Sequence, residues 1–584
     1  MGKPASMSEA GAPIDPYIPP DRAQAKAPAR PAAWFMARPA LTSALALAAG
    51  ALHALCFAPA ELPRTALLVL GFIYYLALAT TGWRSAARLG FAFGLGWFGT
   101  GVSWVYISLH GHGDLAAPLA VLATAALAAL LALFPAAALA AGVLAGPADS
   151  VPRGLAVVAA WTLADWLRGV VFGGFPWLAT GYAQTDGAPA GYAPILGVYG
   201  VGAAGGLAAM AFVYGVTRIR PTGPRNAAAL WRLGLALFVS GLVMEGGAAL
   251  RGTAWSEDEG SPIRVRLVQG NIPQDLKFGE GGLRRSIERY LPALDMAPQP
   301  LAGGVPGPDP DLIVFPESAF PIPVNDLPDE VLHALADDER RKGAALVFGV
   351  FIVEPGPRYF NSAVGLAGRR RPGDPAGNPQ HNSEHDPATD SATAAQRYSK
   401  RHLVPFGEFI PYGMHWFVQL LQIPIGDQES GVEFQRPMQL AGQRIAVNIC
   451  FEDLFGAEII AAWHEPAYAP TVLLNLSNLA WFDDSIALPQ HLQISRMRAL
   501  ETARPLLRAT NTGVTAVIDE RGRVLRQLPI QADGVLEAFV QGKRGTTPFV
   551  RWGNTPLLLL CAAAWLACRL APRAAPAPAR GAAA

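Results

Sequence analysis

Between Leu41 and Leu250 the chain runs through seven apolar stretches with little polar sequence between them, at about 41–58, 64–82, 89–108, 115–145, 154–172, 192–217 and 231–250, and an eighth occupies 553–570. Each is close to the ~20 residues that a helix needs to cross the hydrocarbon core of a bilayer. Lipid offers no hydrogen-bond partners, so such stretches are restricted to helices that satisfy their own backbone. Composition agrees, since 51% of the 584 residues are hydrophobic and only 16% are charged, a balance foreign to an ordinary soluble domain. The fifth stretch is the least regular because it contains Asp165 and Arg168. Spaced by three, they share a helix face, and because a charge in lipid costs ~2.5–3.5 kcal/mol the expectation is a mutual ion pair with a structural role.

The basic residues are distributed unevenly about these stretches. With the N-terminus in the cytoplasm, Arg84, Arg88, Arg153, the group Arg218, Arg220, Arg225 and Arg232, and Arg569, Arg573 and Arg580 fall inside, whereas the loops at 57–64, 109–114 and 173–191 hold only Arg64. The positive-inside bias then predicts that seven crossings deliver residues 251–546 to the outer face. Residues 1–40, rich in Pro and Ala and carrying Lys3, Arg22, Lys26, Arg30 and Arg38, are expected to be a disordered basic cytoplasmic tail, too long and too proline-broken for the start of a signal peptide. A net charge of +1 provides no dense basic face and argues against a nucleic-acid partner.

The polar segment alternates strand-like apolar runs, at Ile263 to Val268, Leu312 to Phe315, Ala345 to Val350, Ile445 to Ile449, Val472 to Leu476 and Val514 to Ile518, with helix-period stretches at 281–296, 326–342 and 487–503. That alternation predicts a layered α/β domain. Segment 369–396 has almost nothing to bury and is expected to be a disordered insertion. The predicted organisation is therefore a tail over 1–40, seven membrane helices over 41–250, an extracytoplasmic α/β domain over 251–546, an eighth membrane helix over 547–571 and a cytoplasmic tail over 572–584.

Three apolar runs end abruptly in polar residues: DLIVFPES at Glu317, IAVNICFED at Cys450 and Glu452, and VLLNLSN at Asn475 and Asn478; YSKRHLVPFGEF carries Lys400 and Glu408. In α/β sheets the carboxyl ends of strands line the ligand crevice, so these groups can converge. Taken singly, each has a plainer reading: a lone cysteine is commonly a small buried hydrophobe, and Glu317 and Lys400 can be helix-start and loop charges. Together they form a set. Cys56, Cys561 and Cys568 lie in apolar runs, which leaves Cys450 without an evident disulfide partner, and an unpaired thiol in an oxidising compartment calls for burial or chemical use. A thiol of pKa ~8.5 needs a base or a nearby cation to act as a nucleophile. A fixed ammonium and the backbone N–H after the cysteine can then hold the oxyanion formed on attack at an ester or amide, a contribution of ~3–4 kcal/mol.

The order Glu, Lys, Cys within PES, YSKRHLVPFGEF and ICFED resembles the nitrilase (carbon-nitrogen hydrolase) superfamily, and HLVPFGE is similar to its membrane branch, the apolipoprotein N-acyltransferases. VQGNIPQDLKF at 268–278, HLQISRMRALETARPLLRATNTGVTAVI at 491–518, GWFGTGVSWVYIS at 96–108 and GFPWLATGYAQ at 174–184 extend the likeness over most of the chain. The resemblance implies a nitrilase-like αββα sandwich joined to a multi-span domain of about eight transmembrane helices, in the bacterial inner membrane, with the catalytic domain in the periplasm and both termini cytoplasmic. It implies Glu317 as general base, Lys400 as oxyanion stabiliser and Cys450 as the nucleophile that takes a fatty acyl chain from a phospholipid. Glu408 and Glu452 would support Lys400 and the cysteine loop, Phe451 would offer its N–H to the oxyanion, and Phe278, Asn478 and Trp481 would meet substrate. The acceptor would be the N-terminal α-amine of diacylglyceryl-cysteine on an apolipoprotein, reached through a thioester in a ping-pong sequence.

The chain departs from that family's pattern at Phe278, where Trp is usual, at Leu479, where Asp is typical, and at Asp483, where Gly is usual. Trp104, Tyr106, Phe175, Trp177 and Tyr182, near the outer ends of spans, fit an interfacial aromatic belt. The expected partners are a phospholipid donor, a diacylated lipoprotein acceptor and the bilayer itself, with the chain a monomer. No cofactor is implied, and the ten histidines show no ligand-like spacing for a metal. Two other readings stay open at this point: the same residues with water as acceptor would make a membrane-tethered amidase or nitrilase, and a transporter or scaffold would use the outer domain only for binding.

Overall fold

The computed structural model describes residues 31–217, 227–300, 305, 307–356, 358–368, 395–410 and 428–571. The expected tail up to residue 30, Arg218, Arg220 and Arg225, the insertion over 369–394 and the C-terminal tail from 572 lie outside them. The N-terminal tail, expected to extend to residue 40, gives way to structure earlier, because Pro31–Met36 is already helical. The reason is apolar anchoring: the Phe35 ring packs edge-on against Phe72 and Tyr75, at 6.3 and 6.4 Å.

All eight apolar stretches are helical. They comprise α1 (Pro39–Ala54), α2 (Pro63–Ala79), α3 (Trp83–Gly101), α4 (Ala117–Ala145), α5 (Val151–Arg168), α6 (Ala193–Val216), α7 (Ala227–Arg251) and the C-terminal helix Thr555–Leu570. Proline occupies the first turn of α1, α2, α4, α5 and α6, where its missing N–H costs nothing. Among the described residues three helices are long and apolar enough to cross a membrane, Ala117–Ala145, Ala188–Val216 and Leu230–Arg251, while α1, α2 and Thr555–Leu570 are apolar but shorter. Helices α1 and α3 touch backbone to backbone, since a Cβ added at Gly96 would lie 1.9 Å from the Leu47 carbonyl oxygen and one at Gly50 equally close to that of Phe93. Close approach of this kind is how helices associate when lipid provides no hydrophobic drive between them.

The charges in α5 do pair, with Arg168 Nη2 at 2.6 Å from Asp165 Oδ1. The pair also fastens the segment that follows: Arg168 donates to the carbonyls of Phe175 and, at 2.8 Å, Trp177, and Asp165 Oδ2 accepts the Thr180 N–H at 2.8 Å. The two buried ions thus hold 175–180 against the helix end as well as each other.

The polar half is built on two sheets. The first takes β1 (Ile263–Gln269), β2 (Leu312–Val314), β3 (Phe320–Pro323), β4 (Ala345–Glu354), β5 (Arg358–Leu366) and β6 (Gln396–Ser399); the second takes β7 (Met438–Leu440), β8 (Gln443–Ile449), β9 (Val472–Ser477), β10 (Leu506–Thr510), β11 (Ala516–Ile518) and β12 (Val524–Gln527); β13 (Gly534–Val540) returns to the first. Their orders are β13-β1-β2-β4-β5-β6, with β3 on β4, and β12-β11-β10-β9-β8-β7. The two sheets face each other. Ile263, Val265, Leu267, Leu312 and Val314 of one pack with Ile445, Val447, Ile449, Val472, Leu474 and Leu476 of the other, the alternate positions that the two-residue period of a strand sends to one face. The opposite faces are covered by helices: α8 (Gly282–Tyr290) and α9 (Asp329–Ala336) over the first sheet, and α10 (Ala487–Thr502) over the second. The layers are therefore helix, sheet, sheet, helix.

The helical half and the sandwich share one core. Trp177, Tyr182, Val198 and Tyr199 cluster with Phe451, Leu454, Phe455, Ile494 and Met497, and the Val198 N–H donates to Glu501 Oε1 at 2.7 Å across the junction. Trp104, Trp177 and Tyr182, expected in an interfacial belt, are instead buried at this junction. Side chains that pack against a second domain are removed from the headgroup region, and a hydropathy pattern along one helix does not carry that information.

Candidate active site

Four strand ends meet at one place. Glu317 follows β2, Lys400 follows β6, Cys450 follows β8, and Asn478 follows β9. The first sheet brings Glu317 against β4 so closely that a Cβ on Gly349 would lie 2.6 Å from the Glu317 Cα, which explains a glycine in the middle of an otherwise bulky strand. In the second sheet β8 and β9 run parallel, with Asn448 opposite Asn475 and Ile449 opposite Leu476, so their polar extensions emerge side by side.

Glu317, Lys400 and Glu408 form a buried ionic cluster. Lys400 Nζ lies 2.8 Å from Glu408 Oε1 and 3.7 Å from Glu317 Oε1. Asn361 Nδ2 bridges the two carboxylates, donating to Glu317 Oε1 at 2.8 Å and Glu408 Oε1 at 3.2 Å. The free oxygens are also occupied, Glu317 Oε2 by the Asn478 N–H at 2.7 Å and Glu408 Oε2 by the Val404 N–H at 2.8 Å. Burial alone would push the Lys400 ammonium down, but Glu408 and Glu317 outweigh it and hold the group above an ordinary lysine. Lys400 is thus a fixed cation. Beneath the cluster the buried Lys277 Nζ donates to the Glu317 carbonyl at 3.1 Å, and burial lowers that ammonium to about 7 despite the Glu317 charge.

Cys450 sits at a sharp turn out of β8, with φ +54° in the left-handed region, a conformation that costs a non-glycine residue ~1–2 kcal/mol. Here the turn starts a short 3-10 segment, Cys450–Leu454. The strained turn is held by Glu452, whose carboxylate accepts from the N–H groups of Ile449, Arg401 and His402 at 2.6, 2.7 and 3.1 Å and from the Tyr398 hydroxyl at 3.0 Å. Burial pushes the Glu452 carboxyl up to about 7 in spite of these donors. Burial also raises the Cys450 thiol well above its usual value, Glu317 and Glu408 add to the rise, and Lys400 and the Asn478 N–H offset it only in part. With two carboxylates and one ammonium around it, the sulfur rests as a thiol. A thiol held this way needs a base to remove its proton before the sulfur can act as a nucleophile.

On the far side of the turn, His491 Nε2 lies 3.2 Å from the Cys450 carbonyl oxygen and Asn475 Nδ2 lies 3.4 Å from it. A carbonyl oxygen only accepts, so Nε2 carries the imidazole proton. Burial, followed by Arg508, holds His491 far below the usual histidine range, leaving it neutral. Its ring stacks on Trp177, with centroids 5.6 Å apart and planes at 26°, and Trp177 Nε1 donates to Gln490 Oε1 at 2.7 Å. Arg508, lowered by burial to about 10, donates to Asn475 Oδ1 at 3.2 Å and Ser495 Oγ at 2.8 Å.

The residues expected from the sequence separate into two groups. Glu317, Lys400, Cys450, Glu408, Glu452, Phe451 and Asn478 are brought together. Phe278 and Trp481 stand at the edge, 48% and 42% exposed; the Phe278 ring lies 6.3 Å from Phe351, and Trp481 is held through its carbonyl, which accepts from Ser108 Oγ at 2.8 Å. Asp483 adopts φ +42°, which accounts for glycine as the usual residue there, and its carboxylate lies 3.1 Å from His112 Nε2. The sequence reading did not single out Asn361, Lys277, Tyr398 or His491. Tyr398 and His491 lie inside the motifs YSKRHLVPFGEF and HLQISRMRAL, while Asn361 sits mid-strand in RYFNSAVGL, where only a buried polar residue facing inward marks it. Among the described residues no group of three or more His, Cys, Asp and Glu side chains is placed to hold a metal ion.

Residues 49–211 match the apolipoprotein N-acyltransferase N-terminal domain family, and residues 265–548 match the carbon-nitrogen hydrolase family. The chain is 42% identical over 527 residues to the apolipoprotein N-acyltransferase of Ralstonia nicotianae, covering 90% of this chain and 92% of that one. It is 41% identical over 543 residues to the apolipoprotein N-acyltransferase of Bordetella bronchiseptica, covering 88% and 94%. It is 39% identical over 506 residues to that of Nitrosomonas europaea, covering 85% and 92%.

Proposed function

Given that this chain belongs to the apolipoprotein N-acyltransferase family, we propose that it acylates apolipoprotein N-termini in two steps, with a phospholipid as donor and Cys450 as the carrier. The observation that supports this most is the buried Glu317, Lys400 and Glu408 cluster beside a protonated thiol at a strained strand end. In the first step Glu317 takes the thiol proton as sulfur attacks the ester carbonyl of the lipid. The oxyanion forms between Lys400 Nζ and the Phe451 N–H, which lies in the first turn of a helical segment and has no partner within it. Collapse breaks the ester C–O bond, Glu317 returns the proton to the departing oxygen, and a lysophospholipid leaves a thioester behind. In the second step the α-amine of diacylglyceryl-cysteine attacks that thioester, Glu317 accepts the amine proton, and the C–S bond breaks to regenerate the thiol and release an amide.

The membrane half supports the choice of partners. Both substrates are lipids, and confining search to a leaflet raises the effective concentration of each at the site. Our reading keeps residues 41–250 as seven spans and 547–571 as the eighth, with 251–546 in the periplasm and both termini cytoplasmic; a helix at each of the eight stretches supports it, six of them apolar enough to be candidate spans or short apolar helices. Purified protein given labelled phospholipid and a diacylated lipopeptide should yield triacylated lipopeptide, and protein taken from membranes should carry a fatty acyl adduct on Cys450 that neutral hydroxylamine removes. Cys450→Ala should abolish both. Free fatty acid without triacylated product would replace this reading with a hydrolase, and an aqueous label reaching Cys450 only from the cytosolic side would reverse the topology.

A further inference from the structure

We propose that His491 is a positioning residue for the oxyanion site, acting on the Phe451 N–H through the carbonyl of Cys450. The inference rests on the reading of Phe451 given above. A peptide unit is planar and trans, so its C=O and N–H point in opposite directions. Fixing the Cys450 carbonyl on one side therefore aims the Phe451 N–H on the other. Two donors fix that carbonyl, His491 Nε2 at 3.2 Å and Asn475 Nδ2 at 3.4 Å, and the bonds they donate also polarise the peptide and strengthen the N–H as a donor. The left-handed φ of Cys450 leaves the peptide without the ladder that would fix its orientation in a strand, which is why a side-chain donor has a role here.

His491 is well suited to this role. It is fully buried, its Nδ1 has no hydrogen-bond partner, and the neutral ring has a single N–H to give. Its plane is set by Trp177, whose carbonyl is in turn held by Arg168 of the intramembrane ion pair. A residue stiffened from the membrane half thus orients the backbone donor of the outer domain.

Acylation of Cys450 builds an oxyanion; alkylation by iodoacetamide, a displacement at a saturated carbon, builds none. The two rates separate orientation of the N–H from mere support of the thiol. Full-length protein in detergent or nanodiscs is compared as wild type, His491→Phe, which keeps a ring on Trp177 but has no donor, and His491→Gln, which keeps an N–H donor. Expected for His491→Phe is an acyl-enzyme formation rate lower by about ten- to a hundredfold, an unchanged KM for phospholipid and an iodoacetamide rate within about threefold of wild type, with His491→Gln recovering much of the acylation. Wild-type acylation in His491→Phe, or acylation and alkylation falling together in both variants, overturns the proposal. Wild-type protein that acquires no acyl group on Cys450 at all would instead overturn the transfer reading on which it stands.

Discussion

The two sides of Cys450 are made of different material. On one side stand Glu317 and Lys400 at strand ends, Asn361 within β5 and Glu408 in the loop after Lys400, joined by short hydrogen bonds that leave none of the carboxylate oxygens unoccupied. On the other stand His491, Trp177, Phe482 and Trp104, rings supplied by α10, by the loop after β9 and by the helical half, with Phe482 4.6 Å from Trp104 and 6.4 Å from Trp177. Charge needs fixed partners at fixed distances, and strand ends in a packed sandwich provide them. Rings tolerate a range of offsets, so they can join two halves of a molecule that reach each other through lipid and water. The polar side is therefore expected to govern chemistry, and the aromatic side to govern how firmly the chemistry is aimed.

The largest effect should come from the polar side. Lys400→Arg keeps the charge but replaces a compact ammonium with a broad guanidinium in a site whose contacts are all 2.8–3.7 Å; acyl-enzyme formation should fall by about a thousandfold with thermal stability little changed. Near-normal acylation would mean that charge alone, not aim, distinguishes this side. On the aromatic side, Asp165→Asn strands the buried Arg168 and loosens 175–180, which should lower stability by about 3 kcal/mol in thermal unfolding and, by freeing Trp177 behind His491, slow acyl-enzyme formation in the protein that remains folded by less than His491→Phe does.

A smaller effect tests the loop between the two sides. Because burial raises the Glu452 carboxyl from 4.5 to about 7, the folded protein binds that proton more tightly than the unfolded chain. Its stabilising contribution is therefore full below pH 4.5 and is lost as pH rises through 7. Glu501, raised by burial to about 7 as well, acts in the same window. Melting midpoints measured across pH 4.5 to 7 should decline less steeply in Glu452→Gln than in wild type, and an unchanged slope would show that the donors around Glu452 keep it ionised. Smallest of all should be His112→Ala. The His112 and Asp483 side chains are 14% and 58% exposed, and exposed pairs contribute at most about 1 kcal/mol, so transfer should change by less than about fivefold; a larger loss would give the loop over 479–485 a part in catalysis.

Glu317 and Cys450 were legible because each stands where an apolar run stops, and Lys400 because it lies in the motif YSKRHLVPFGEF. Strands that carry buried charge were not. β10 holds Arg508 and β13 holds Glu537, which faces Arg266 across the ladder and binds it at 2.6 Å; such pairs look like surface charge until the neighbouring strand is known. β5 begins with Arg358 and hides Asn361 among small residues for the same reason. Trp104, Trp177 and Tyr182 were misassigned to a lipid interface because hydropathy along one helix says nothing of a second domain packed upon it.

By itself the sequence determined the run of apolar helices, the α/β alternation and the candidate thiol, carboxylate and ammonium, since periodicity, abrupt polar ends and short motifs are properties of neighbouring residues. It left open who holds those groups in place. Asn361 between two carboxylates, Glu452 gathering the N–H groups of Arg401 and His402, and His491 on the back of the Cys450 peptide are partnerships between residues 41 to 51 positions apart, and their hydrogen bonds of 2.7–3.2 Å exist only once two sheets and a helical domain have packed to bring them within reach.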